Sequence, residues 1–208
     1  MDISVVDSGI GNIKSVCNMI LKVGGSVQIV SSPEQIADAK VLILPGVGAF
    51  DHAMKILKSD GWIEPLYQHA IIDKKPILGV CLGMHIMTRS SQEGLSDGLG
   101  FIEADTVRFS LDSMVEKKAI PNMGWNTIKV QKKNDFFDLD ELEARFYFVH
   151  SYHVVCDNQC DILTTTNYGY DFTSSFQKGN IIGVQFHPEK SHKFGYKFFK
   201  QFIEEFAT

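Results

Sequence analysis

Three residues of this chain, Cys81, His187 and Glu189, have the types and settings needed for acyl transfer. A thiolate is a strong nucleophile. An imidazole can take the thiol proton and later return one to a leaving amine, and a carboxylate two residues away can hold that imidazole in one orientation. Cys81 lies in Pro76-Ile77-Leu78-Gly79-Val80-Cys81-Leu82-Gly83-Met84-His85, an apolar run ending in a cysteine flanked by Gly79 and Gly83. This is the pattern of a nucleophile elbow, where a strand turns sharply into a helix, expected over Leu82 to Met87, and the apex residue is strained. At such an apex the helix N-terminus favours thiolate over thiol, and free backbone N–H groups can hold an oxyanion. Taken alone, the stretch is equally compatible with a buried cysteine closing a core strand. His187-Pro188-Glu189 follows a second apolar run, Ile181 to Phe186, and taken alone it reads as a surface turn. Only together do the two stretches make a Cys81–His187–Glu189 triad.

Elements that place such a triad are visible in order. Ile3 to Val6 reads as a buried strand, Val27 to Val30 as a second strand, Val41 to Leu44 as a third covered on both faces, and Ile77 to Val80 as a fourth. Helical spacing separates them at Ile13 to Val23, from Ser32-Pro33-Glu34, and at Phe50 to Leu57 and Ile63 to Ile72. Alternating strands and helices predict a doubly wound parallel sheet, whose site lies at the carboxyl ends of the strands. Gly9-Gly11, Pro45-Gly48 and Cys81 fall there. Gly9-x-Gly11 is not a dinucleotide fingerprint, because Lys14 stands where the third glycine belongs. Val47 and Gly48, with Leu82, are candidate backbone donors to an oxyanion. Beyond a loop at Ser90 to Gly100 the texture changes to short strands: Thr106 to Phe109, Asn126 to Val130, Phe146 to His150, His153 to Cys156, Ile162 to Thr166, Phe172 to Gln177 and Ile181 to Gln185. A final helix, Tyr196 to Phe206, carries a core-facing aromatic stripe.

Composition bounds the function. The chain has 208 residues, 44% of them hydrophobic and 22% charged, which is enough apolar material for one α/β domain spanning 1–208. A net charge of −5, with lysine pairs such as Lys74-Lys75, Lys117-Lys118 and Lys132-Lys133 scattered, argues against a nucleic-acid partner. No signal peptide and no membrane-length apolar run is expected. Cys17, Cys81, Cys156 and Cys160 form neither a disulfide framework nor the usual zinc spacing, consistent with a reduced, cytoplasmic protein. A metal set of Cys156, Cys160, His150 and His153 is disfavoured, because neighbours on strands alternate faces.

Gly79-Val80-Cys81-Leu82-Gly83-Met84, Pro45-Gly46-Val47-Gly48-Ala49-Phe50 and Gln185-Phe186-His187-Pro188-Glu189-Lys190-Ser191 resemble the class I, triad-type glutamine amidotransferases. More narrowly, Asp7-x-Gly9-x-Gly11-Asn12, Met123-Gly124-Trp125-Asn126 and Tyr147-Phe148-Val149-His150-Ser151-Tyr152 resemble the glutaminase subunits of imidazole glycerol phosphate synthases of histidine biosynthesis. The resemblance runs from Asp2 to the final helix. It implies a mostly parallel central sheet flanked by helices, with added antiparallel strands in the C-terminal half. It also implies hydrolysis of L-glutamine through a cysteine thioester, without a cofactor. Matching positions imply that Gly48, His85, Glu93, His150, Ser151 and Tyr152 hold glutamine. Asn12, Met123, Trp125, Tyr147 and Lys190 match positions at an interface and gate toward a (β/α)8-barrel synthase subunit, the partner in a heterodimer that receives the ammonia.

Two positions depart from the family pattern. His85 stands where glutamine is usual, which predicts weaker or pH-dependent substrate binding through protonation near neutrality. Arg89 stands where an acidic residue is frequent, and reads as a solvated helix position. Two alternatives stay open: a paralogous glutaminase feeding ammonia to surface-polysaccharide sugars through a barrel paralogue, and a catalytically silent scaffold with its glutamine site spoiled by His85.

Overall fold

The computed structural model describes residues 2–113, 118–138 and 143–206; Lys117, one of the lysines read as solvated, lies outside these. Strands β1 (Asp2–Val6), β2 (Ser26–Val30), β3 (Leu42–Gly46) and β4 (Ile77–Cys81) alternate with helices α1 (Ile13–Lys22), α2 (Phe50–Ser59) and α3 (Ile63–Tyr67). They pair in parallel in the order β2-β1-β3-β4, and β11 (Ile181–Val184) adds to β4, also in parallel. Strands β3 and β4 are buried along their whole length, as continuous apolar runs covered on both faces must be.

From β11 the sheet continues antiparallel through β10 (Asp171–Lys178), β9 (Ile162–Asn167), β6 (Asn122–Val130) and β7 (Arg145–His150). A side branch, β5 (Ala104–Arg108) with β8 (Tyr152–Cys156), joins at β10. The expected strand at Asn126 starts earlier, at Asn122, because Met123, Gly124 and Trp125 pair with Val149, Phe148 and Tyr147. Glycine and alternating exposure hide that segment from an apolar-run criterion.

Helices cover both faces. One core joins α1 and the final helix α5 (His192–Phe206) to the sheet, and is rich in phenylalanine: Phe146 stacks on Phe186 at 4.1 Å, and Phe198 meets Phe186 and Phe137. Truncating a buried phenylalanine of this kind costs about 3–5 kcal/mol. A second core under the other face holds Phe50, Leu57, Trp62, Leu66 and Met84.

Three local expectations are corrected. The segment after Ser32-Pro33 is a 3-10 turn, Pro33–Asp38. The stretch Ile63 to Ile72 is not one helix: after α3 it widens into a π-turn, Gln68–Ile72, and the Asp73 N–H reaches back to the Gln68 carbonyl at 2.8 Å. Helix α4 (Leu82–Ile86) ends before Arg89, whose guanidinium donates to both oxygens of Asp105 (2.6 and 3.3 Å) and of Asp157 (2.7 and 2.9 Å). Arg89 is therefore a clamp between the α4 exit, β5 and the end of β8, not a free helix position. Among the described residues no helix is long and apolar enough to cross a membrane.

Candidate active site

The elbow forms as its glycines require. Cys81 ends β4 and precedes α4 with φ 55° and ψ −109°, a conformation side chains rarely adopt. Space for this turn exists only because its neighbours are glycines. A Cβ on Gly83 would sit 1.9 Å from the Leu44 carbonyl oxygen, one on Gly79 would sit 2.6 Å from the Gly83 carbonyl oxygen, and one on Gly46 would sit 2.7 Å from the Gly83 nitrogen.

His187 follows β11, which is hydrogen-bonded to β4, so adjacent parallel strands bring the candidate base and candidate nucleophile to the same carboxyl end of the sheet. Its Nδ1 donates to Glu189 Oε1 at 2.8 Å, with both side chains 3% exposed. That bond orients the ring, and among the described residues Nε2 makes no other hydrogen bond of ordinary length, which leaves it free for a proton shared with the nearby Cys81 sulfur. Burial works against the imidazolium, but the Cys81 sulfur and the Glu189 carboxylate outweigh it and raise His187 to about 9. The backbone of this turn is fastened to β7: the His187 N–H donates to the Tyr147 carbonyl (2.9 Å), the Tyr147 N–H donates to Ser191 Oγ (3.0 Å), and the Ser191 hydroxyl donates to the His187 carbonyl (2.6 Å).

A cleft of about 280 Å³ opens over Cys81. It is lined by Val47, Gly48, Cys81, Leu82, His85, Glu93, Val149, His150, Ser151, Tyr152 and His187. Every residue expected to hold glutamine or an oxyanion is thus in one place, with Glu189 behind His187. Another cavity, of about 300 Å³, lies between Pro33, Ile36, Pro65 and His69, and holds no nucleophile.

The three expected oxyanion donors are not equivalent. The Val47 N–H donates to the Ile10 carbonyl at 2.6 Å and is already engaged. Gly48, with φ 99°, and Leu82 line the cleft beside Cys81. Glu93 is half-buried, and burial raises its carboxyl despite a hydrogen bond from the Phe50 N–H (3.2 Å). His150 is buried and pushed down to about 3 by that burial. Its Nδ1 donates to the Tyr152 carbonyl (2.7 Å), so its Nε2 accepts from Asn122 Nδ2 (3.0 Å).

His85 is buried at 4% exposure and bonded through Nε2 to Gln185 Oε1 at 2.7 Å. Burial pushes it down to about 4, against the raising effect of Gln185. This corrects the expectation of protonation near neutral pH: desolvation disfavours the imidazolium, and the ring is neutral there.

The interface candidates are exposed except Tyr147, which is half-buried. Met123 is 63% and Trp125 44% exposed, Asn12 and Lys190 are exposed, and Tyr147 lies edge-on to Trp125 at 6.2 Å. His192, which no motif singles out, stacks on Trp125 at 5.4 Å. The sequence reading also missed Asn122, Val149, Gln185 and Ser191. Gln185 and Ser191 lie within the motif around His187, a signal that could have found them.

Cys156 and His153 lie on β8, His150 on β7, and Cys160 is exposed in a separate turn. Among the described residues no group of three or more His, Cys, Asp or Glu side chains is arranged to hold a metal ion.

Residues 4–206 match the family model for glutamine amidotransferase class-I. The chain is 51% identical over 203 residues to imidazole glycerol phosphate synthase subunit HisH 2 of Methanococcus maripaludis, covering 98% of this chain and 99% of that one. It is 45% identical over 202 residues to the Pseudomonas aeruginosa protein of the same name, covering 97% and 98%. A PurLQS structure from Thermotoga maritima shares the fold, with a TM-score of 0.75, 16% identity and 98% coverage of both chains.

Proposed function

The chain belongs to the class I glutamine amidotransferase family, and from that membership we propose that it is the glutaminase subunit of an imidazole glycerol phosphate synthase. The observation that carries this reading is the cleft that gathers Cys81, His187 and the expected glutamine-holding residues. The names and near full-length identity of the relatives support the synthase assignment.

Glutamine would enter with its side-chain amide over Cys81 and its amino and carboxylate groups among Gly48, His85, Glu93, His150, Ser151 and Tyr152. The Cys81 thiolate attacks the amide carbon, and the developing oxyanion meets the backbone N–H groups of Gly48 and Leu82. His187, protonated and held by Glu189, gives its proton to the nitrogen, the C–N bond breaks and ammonia leaves. Water then attacks the thioester and loses its proton to His187. The C–S bond breaks, freeing glutamate and the thiolate. In water ammonia is mostly ammonium, which is no nucleophile, so product must reach its acceptor without escaping.

Asn12, Met123, Trp125, Tyr147 and Lys190 would meet a docked (β/α)8-barrel subunit; all but the half-buried Tyr147 are exposed. That subunit uses the ammonia to form imidazole glycerol phosphate and aminoimidazole carboxamide ribonucleotide. The phosphorylated acceptor would bind the barrel, which fits the net charge of −5 of this chain.

The test is glutamate release by the purified chain with the histidine-pathway barrel subunit of the same organism, with and without its ribonucleotide ligand. Strong stimulation by barrel plus ligand, lost in Cys81→Ala, is expected. No stimulation from a barrel that still cyclises with added ammonium would overturn the synthase assignment and return the acceptor to the surface-polysaccharide alternative.

A further inference from the structure

We propose that Gln185 is a positioning residue for substrate recognition: it accepts the Nε2 proton of His85, fixing the ring tautomer that turns an Nδ1 lone pair to the cleft as an acceptor for the α-ammonium group of glutamine. The inference rests on the glutaminase reading above and concerns one end of the same cleft.

His85 lines the cleft with Cys81 and Glu93. Gln185 is fully buried at the end of β11, two residues before His187, and its Oε1 lies 2.7 Å from His85 Nε2. A neutral imidazole carries one N–H and one lone pair, and a carbonyl oxygen only accepts. The proton therefore sits on Nε2, and Nδ1 is a pure acceptor. Burial keeps the ring in this neutral form, so it does not repel a cationic amine. The Glu93 carboxylate lines the same cleft, so the cleft offers an ammonium group two acceptors, one anionic and one neutral. An amide at position 85 could present its oxygen in the same sense, which makes the histidine a functional substitute only while its tautomer is held. The opposite amide orientation of Gln185 would place an N–H against His85 Nε2. The ring would then aim an Nδ1–H at the substrate's own N–H groups. Gln185 Nε2 makes no hydrogen bond among the described residues, so the contact with His85 is the one bond that orients the amide, and the tautomer measurement below reads that orientation directly.

The experiment has two arms. Long-range proton–nitrogen correlation spectra of the ¹⁵N-labelled chain read the His85 tautomer without any substitution, and an Nε2–H, Nδ1-unprotonated ring is expected. Kinetics on Gln185→Met, in complex with the barrel subunit, compare L-glutamine with inhibition by glutaramate, its analogue lacking the amino group. The glutamine KM should rise about tenfold with a smaller change in kcat, while glutaramate inhibits both proteins within about twofold. An Nδ1–H ring in the wild type, an unchanged glutamine KM, or equal losses for both ligands would each overturn the proposal. If Gln185→Met does not fold, the wild-type tautomer decides. Failure of the glutaminase reading is distinguishable, because the unsubstituted complex would then release no glutamate whatever its tautomer.

Discussion

Asp51 and Glu93 each cap the other's segment. Glu93, in the loop after α4, accepts the N–H of Phe50, the first residue of α2, at 3.2 Å. Asp51, the next residue of α2, accepts the N–H groups of Leu95 and Ser96 at 3.0 and 2.9 Å. A helix start leaves backbone donors unsatisfied, and so does an irregular loop; the exchange satisfies both. It also fixes Glu93 at the cleft. Gly94 is the residue that lets the loop come this close, since a Cβ there would fall 2.1 Å from Asp51 Oδ1.

Replacing Asp51 by Ala should therefore weaken substrate binding from outside the cleft. We expect the glutamine KM to rise about fivefold, with kcat changed less, and amide exchange at Leu95 and Ser96 to quicken. Unchanged KM and unchanged exchange would show that the loop holds Glu93 without help from α2.

Backbone strain at Cys81 should be measurable against its chemistry. At φ 55° and ψ −109° glycine is favoured over any side chain. Cys81→Gly is expected to be more stable than Cys81→Ala by about 1–2 kcal/mol in denaturant unfolding, with both inactive. Equal stability of the two variants would mean that the turn holds no strain worth relieving.

The buried histidines predict opposite responses to pH. His187 is raised from its ordinary 6.5 to about 9, so its contribution is fully present below 6.5 and is lost as pH rises through about 9. His85 and His153 are lowered to about 4 and His150 to about 3, with burial the leading cause for each. Their contribution is present above 6.5 and is lost as pH falls toward those values. Stability should decline on both sides of a maximum near neutrality. His187→Gln should flatten the alkaline limb and His85→Gln should soften the acid limb in thermal melts across pH. A melt profile of His187→Gln that parallels the wild type above neutrality would contradict the assignment for His187.

Gly83→Ala should not be tolerated. The clash partner is the Leu44 carbonyl of the central sheet, which cannot rotate away as a side chain would. Loss of soluble folded protein is expected, whereas Gly48→Ala, which meets open space but at φ 99°, should fold with a cost of about 1 kcal/mol. The readout is the soluble fraction and the melting temperature of each. A folded Gly83→Ala would show that the elbow can shift away from β3.

Much of this site was legible in the chain alone. Glycines at 79 and 83 around Cys81, and His187-Pro188-Glu189 after an apolar run, are local patterns whose backbone demands do not depend on distant residues. The alternation of strands and helices up to Cys81 is local in the same sense, and it places Cys81 and the Pro45-Gly46-Val47-Gly48 loop at the carboxyl ends of the parallel strands. The N-terminal extension of β6 to Asn122 was not legible, because partner strands rather than intrinsic apolarity stabilise that segment.

By itself, then, the sequence singled out Cys81 and His187 as candidate nucleophile and base, the family resemblance and the alternating strands and helices of the parallel half, because these follow from residue type and short-range spacing. Only the tertiary structure decided that His85 is neutral, that Gln185 a hundred residues away orients it, that Arg89 clamps Asp105 to Asp157, and that Ile10 holds the Val47 N–H. Protonation state and hydrogen-bond partners are set by burial and by which distant groups are brought within about 3 Å, and neither quantity has a signature in local spacing.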